Sequence, residues 1–403
     1  MKRTIVSLTL ALLLVAGADA APKAGKDGTV KLNLYGAEMQ VRFDAAKRVK
    51  VKKGTKEEVA KCMAWIDAAT QETLDDCQRQ KQQKELCDWA YVKMLDRLSQ
   101  TALGQSNEAT VLMYALLSKS GYDVRLACEQ KKVHLLYQTE AYVYGRQFFK
   151  LDGKTYYLYG DTIPGESKLQ YQDLKNGGRA VDFRQYQPVK AVQLTEPRTL
   201  TSRKNPDFSF TVQVNKNLLD FYADLPSFSY GDNFMTRWTI MADRPLEQHL
   251  QETLVRQMKQ KLAGKRQLEQ VNELLWWVQG NLYTPENKDE NCFLFRYDDE
   301  VWGYDRALYS EETLFYPYCD TEDRSILLSR LIRDVVGLDV VFIYYPGHTA
   351  IGVCITDEDV KGNYVVKDGR HYVICDPTYI GADAGEEMPP MTGKEKTVEL
   401  LKR

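Results

Sequence analysis

One stretch, Tyr316 to Gly385, constrains the chain more than any other. It reads YPYCDTEDRSILLSRLIRDVVGLDVVFIYYPGHTAIGVC and, after a polar gap, YVVKDGRHYVICDPTYIGADAG. Asp320, Thr321, Glu322 and Asp323 stand just ahead of the apolar run Ile326 to Ile332, so carboxylates and a hydroxyl meet the free N–H groups of a helix start. A buried strand is expected from Val340 to Tyr344, closed by Pro346 and Gly347, and His348 opens the strand after it. Asp368-Gly369 between two alternating runs marks a hairpin, and Asp376 ends its second arm. A nucleophile candidate at a helix start (Cys319 or Thr321), a His on one strand and an Asp on the next follow the order of a thiol-type acyl-transfer site.

Through EDRSILLSRLIR, YYPGHTAIGV and CDPTYIGA, the region Trp276 to Pro389 resembles the transglutaminase-like superfamily, whose core sets Cys on a helix N-terminus before His and Asp. Relatives read Asp-Cys-Glu-Asp-Arg-Ser where this chain has Asp320-Thr321-Glu322-Asp323-Arg324-Ser325, so threonine fills the nucleophile slot. The resemblance assigns His348 and Asp376 the His and Asp roles. In such a site the helix dipole and an imidazolium lower the thiol pKa from ~8.5 to as little as ~3.5, and the thiolate attacks an amide carbonyl. Thr321 cannot take that part directly: its hydroxyl is a weaker nucleophile, its χ1 is stiff, and it suits the helix cap. Cys319 lies two residues earlier, a displacement of ~6 Å at the extended rise per residue. Two readings follow. One is a catalytically degenerate module that binds polypeptide or cell-wall peptide in the old cleft. The other is a peptidase, amidase or crosslinking enzyme using Cys319, His348 and Asp376.

The same order of signals occurs earlier in the chain. A helix starting at Ser106 or Asn107 and stopping at Gly121 precedes the strands YDVRLACE and KVHLLYQ and a hairpin at Asp152-Gly153. Ser106 to His134 is 28 residues and His134 to Asp161 is 27; Thr321 to His348 is 27 and His348 to Asp376 is 28. An internal duplication is therefore expected, with Ser106, His134 and Asp161 as relics or structural residues. The fold class expected is α+β: two transglutaminase-like helix-plus-antiparallel-sheet modules, at 21–175 and 246–403, joined by a β-rich connecting region at 176–245. FSFTVQV, FYADL and RWTIM carry the alternating pattern of that region, and Trp276 and Trp277 are expected to pack their helix on the C-terminal sheet.

Residues 1–20, with Lys2 and Arg3, an apolar run and Ala18-Asp19-Ala20, read as a secretory signal, which predicts a periplasmic or secreted protein. No later run approaches the ~20 apolar residues of a spanning helix. Without the signal, 52 basic and 55 acidic residues leave a charge near −3. With no basic stripe, nucleic acid is a poor partner, and a protein or peptide is the expected one. The eight cysteines permit disulfides in an exported chain, though they allow about 105 pairings. No CxxC, His-rich or EF-hand spacing implies a metal, and no cofactor is expected.

Overall fold

The computed structural model describes residues 28–402 apart from 165–169, 172–176, 185–189, 232, 234, 281–293, 305, 358 and 359. The expected signal at 1–20 and Cys292 lie outside the described residues. Two strands, β1 (Thr29–Leu34) and β2 (Ala37–Arg42), lead into four helices: α1 (Lys56–Ala69), α2 (Gln71–Gln83), α3 (Asp88–Leu103) and α4 (Asn107–Lys119). Strands β3 (Val124–Glu129), β4 (Lys132–Gln138), β5 (Tyr142–Val143), β6 (Phe148–Leu151), β7 (Lys154–Leu158) and β8 (Gln170–Tyr171) follow. All but β5 form an antiparallel sheet of order β6-β7-β4-β3-β8.

The middle of the chain departs from its expected strands. Among the described residues β9 (Arg198–Thr201) pairs there with β10 (Ser209–Val212), and the short β11 (Phe228–Ser229) with β5, whereas FYADL belongs to α5 (Lys216–Asp224) and RWTIM to α6 (Thr236–Ala242). In both runs the apolar residues lie on one helical face: Leu218, Leu219, Phe221 and Tyr222 of α5 and Trp238, Met241 and Ala242 of α6 are buried. Helices α7 (Gln248–Leu250) and α8 (Arg256–Leu262), joined by a π-helical turn, then α9 (Gln267–Gln279), follow on either side of Gly264, where the sequence places a break. Trp277 of α9 donates to the Leu200 carbonyl at 3.0 Å and meets Phe210 edge-on. It thus packs on the β9/β10 pair rather than on the C-terminal sheet.

The C-terminal part holds β12 (Leu294–Phe295), α10 (Asp298–Trp302), α11 (Ser310–Phe315), β13 (Tyr318–Cys319) and α12 (Thr321–Leu331), which runs on as a π-helical turn to Val336. Strands β14 (Val340–Tyr345), β15 (His348–Val353), β16 (Tyr364–Lys367), β17 (Arg370–Cys375) and β18 (Thr397–Leu400) form the sheet β16-β17-β15-β14-β18. Its strand order matches the N-terminal sheet strand for strand, and both sheets are antiparallel.

The registers match as well. Glu129 faces Lys132 and Tyr345 faces His348; Leu151 faces Lys154 and Lys367 faces Arg370; Leu136 faces Leu158 and Gly352 faces Ile374. Each C-terminal residue lies 216 positions after its N-terminal counterpart, as positions 132 and 348 illustrate. Both Asp-Gly turns share left-handed geometry, φ 51° and 76° at Asp152-Gly153 against 50° and 73° at Asp368-Gly369. α4 and α12 each lie on their sheet, and one buried cluster extends from Val30 to Leu401 through both units. The molecule is α+β, with a repeated helix-plus-sheet unit around a shared core.

Candidate functional site

α12 begins where its sequence says it should. Asp320 is the N-cap with extended backbone, and the Asp323 carboxylate accepts the N–H groups of Asp320 at 3.1 Å and Leu308 at 2.6 Å. Thr321 is the first helical residue, and its hydroxyl donates to Glu322 Oε2 at 2.9 Å. Asp320 is buried beside Asp323 and Glu322; desolvation first, then those two neighbours, push its carboxyl up to about 10, so it is protonated at neutral pH.

Cys319 ends β13, which pairs in parallel with β12. Its side chain is buried, and its sulfur accepts a hydrogen bond from Arg324 Nε at 3.3 Å. Burial pushes the thiol up to about 11 and outweighs the opposing Arg324 charge. Arg324, itself 1% exposed, also donates through Nη1 to the carbonyls of Gln279 at 3.0 Å and Pro377 at 3.5 Å.

His348 follows the Pro346-Gly347 turn as the first residue of β15, where Gly347 takes φ 73°. Its Nε2 lies 2.7 Å from Asp376 Oδ2, both groups buried. The other Asp376 oxygen accepts from Thr378 N at 2.9 Å, Thr378 Oγ1 at 2.7 Å and Tyr379 N at 3.2 Å, so the Asp-Pro-Thr-Tyr run fixes the carboxylate from behind. Gln279 clamps this loop: its Nε2 donates to the carbonyls of Tyr379 and Ala382, both at 3.0 Å, and its Oε1 accepts from Gly381 N at 3.0 Å. The Tyr345 ring flanks His348 at 5.8 Å and donates its hydroxyl to Glu387.

The fold therefore brings His348 and Asp376 together as an oriented imidazole–carboxylate pair. Among the described residues the His348 ring hydrogen-bonds to Asp376 alone, and the Cys319 sulfur and Thr321 hydroxyl point their polar contacts at Arg324 and Glu322. The arrangement can orient a ring and hold a peptide group; it does not couple a thiol to a base. Arg324 stands inside the EDRS motif, whose composition gives it no role by itself. Gln279, at the end of α9, has no sequence signal beyond its place before Gly280.

The seven described cysteines are buried and free, so the disulfides that an even count permits are not formed among them. No group of three or more His, Cys, Asp or Glu suited to a metal occurs among the described residues, and no helix there is long and apolar enough to cross a membrane.

The N-terminal unit sorts its residues differently from the spacing argument. Ser106 caps α4, accepting from Ala109 N at 3.2 Å, and so matches the cap Asp320 rather than Thr321. Register sets Lys132 opposite His348 and Gly160 opposite Asp376; His134 lies two residues further along β4, and Asp161 one residue beyond Gly160. Residue spacing alone is blind to such one- and two-residue slips. Ser106, His134 and Asp161 nevertheless line one cavity. No family model matches the chain, and neither a curated protein nor a solved structure shows significant similarity to it.

Proposed function

We propose that the chain is an exported protein with a transglutaminase-like lineage whose C-terminal site binds polypeptide without making or breaking covalent bonds. The observation that carries this reading is that the base hydrogen-bonds to neither nucleophile candidate. His348 hydrogen-bonds to Asp376, while the buried Cys319 thiol is held by Arg324 and kept protonated. Thr321 in the nucleophile slot gives its hydroxyl to Glu322. An oriented imidazole beside the Tyr345 ring retains the means to hold an extended peptide, through one hydrogen bond and one aromatic face. The signal-like segment at 1–20 supports a function outside the cytoplasm.

Titration of fluorescein-labelled casein into the purified chain, followed by anisotropy, tests the reading, with fragments and dansylcadaverine incorporation scored on the same samples. Saturable binding without fragments or amine incorporation is expected, weakened at least tenfold by His348→Phe. Cleavage or incorporation abolished by Cys319→Ala would establish the alternative, an active cysteine enzyme. No binding at all would remove the polypeptide reading.

A further inference from the structure

A cavity of about 590 Å³, separate from the one that Ser106, His134 and Asp161 line, lies where three parts of the chain meet. These are the loop after β5, the α5–β11 turn with α6, and the residues leading into α11. Its volume falls in the ~300 to 1,000 Å³ range of small-ligand sites. Leu225, Phe228 and Met241 give it an apolar wall, and the Phe228 ring stacks on Phe183 at 5.1 Å, so the core behind holds that wall in place.

Tyr309 is the polar group set into this wall. It is 6% exposed, its ring stacks on Tyr222 at 4.1 Å, and its N–H donates to Glu312 Oε2 at 3.1 Å. The Tyr309 hydroxyl hydrogen-bonds to no described residue, yet it is not one of the polar atoms sealed inside the protein. Because Tyr309 borders the cavity, the hydroxyl can be reached from there. Burial pushes its pKa up, so it meets a ligand as a neutral group that both donates and accepts.

The charges around the cavity are not balanced. Both carboxylates of the wall are already engaged: Asp224 takes Lys93 and the Tyr35 hydroxyl, each at 3.0 Å, and Glu312 takes Arg306 besides the Tyr309 N–H. Arg146, exposed at the mouth, donates to the Gly160 carbonyl at 3.3 Å and forms no ion pair among the described residues. A cavity of this volume is only ~10 Å across, about one Debye length, so the Arg146 charge is felt throughout it. Such a space favours an anion and disfavours an amine.

We propose that this cavity binds a small aromatic carboxylate, its ring against Phe228 and Met241 and its carboxylate accepting the Tyr309 hydroxyl in the field of Arg146. The site shares no residue with the His348–Asp376 pair and goes beyond the polypeptide reading above. Calorimetric titration of the full chain with 2-naphthoate, 2-naphthamide and cyclohexanecarboxylate tests it. Saturable binding of 2-naphthoate is expected, at least tenfold tighter than that of the uncharged amide or the non-aromatic acid. Tyr309→Phe removes a hydroxyl that bonds to no protein group, and Arg146→Ala changes an exposed side chain, so both keep the fold; each should weaken 2-naphthoate at least fivefold. Met241→Trp, which fills the cavity, should abolish binding. No saturable binding of 2-naphthoate, equal binding of the amide, or wild-type affinity in Tyr309→Phe would overturn the proposal.

Discussion

In the C-terminal unit the residue after the β14-β15 turn is His348, and the carboxylate that receives it, Asp376, follows β17; in the N-terminal unit the same register positions carry Lys132 and Gly160. The two sheets share strand order and pairing, so the backbone alone does not decide what a site of this shape does. The helix starts differ too. Glu108 of α4 is buried and pairs with Arg48 at 2.6 Å while accepting Val51 N, whereas Asp323 of α12 is satisfied by backbone N–H groups and Arg324 turns back onto Cys319. A repeated fold thus presents one unit with a paired imidazole and no activated nucleophile, and one with an unpaired imidazole beside a cavity.

The largest effect expected from a single change falls at Arg324. Its replacement by Met leaves the Cys319 sulfur and the Gln279 and Pro377 carbonyls without their buried donor. A loss of about 3–5 kcal/mol is expected by denaturant titration, in line with breaking one side of a buried charged network. Retained stability would mean that the helix start and the Asp376 loop do not depend on this bridge.

Next is a matched pair at the foot of each sheet. Asp123 is fully buried and accepts from Arg125, Lys154 and Tyr156, whereas Asp339, its counterpart 216 positions on, pairs with the half-exposed Arg370. Asp123→Asn is expected to cost about 2–3 kcal/mol and Asp339→Asn about 1 kcal/mol or less. Equal costs would break the contrast between a fully buried carboxylate with three side-chain donors and a slightly exposed one paired with Arg370.

Gly153→Ala and Gly369→Ala sharpen the likeness instead. Both glycines take positive φ, and a Cβ at either would meet no neighbouring atom, so backbone strain alone sets the cost. Each substitution should lower stability by about 1–2 kcal/mol, equally within error in thermal melts. Unequal values would mean that the turns are not equivalent.

The smallest effect is expected at Asp320, at low pH. Its folded pKa, about 10, lies above the ordinary carboxylate value, so the stability it contributes is complete below pH ~4 and is lost as pH rises toward 10. Asp320→Asn should therefore match the wild type within about 0.5 kcal/mol at pH 4 and become the more stable protein as pH rises. The opposite trend would show that the carboxylate is charged in the folded chain.

Much of this was legible in the residues. Helical spacing over Lys56 to Gln100, the Ser106 cap, the two Asp-Gly turns and the apolar strands at Val124 and Val340 all reflect local chemistry, and all form as their patterns require. So was the His348–Asp376 pair, because a turn before one and a hairpin before the other fix them on adjacent strands. What residue patterns do not carry is register and depth. FYADL and RWTIM alternate like strands yet fold as helices, since short runs fit both periods and tertiary burial chooses between them. The slip from His134 to Lys132 shifts the pairing by two residues, which keeps the face and moves the site. Arg324, which donates to the Cys319 sulfur, is held by the carbonyls of Gln279 and Pro377, 45 and 53 positions from it in sequence, that no local motif links.

The account turns on Cys319 being a structural thiol. Iodoacetamide labelling of the folded protein between pH 5 and pH 9, with mass mapping and a His348→Ala control, measures this directly. The account predicts no modification of Cys319 up to pH 8 in either protein, with labelling only on unfolding, as a buried thiol raised to about 11 requires. Rapid modification at mildly acidic pH that slows in His348→Ala would reveal an activated thiolate and contradict it.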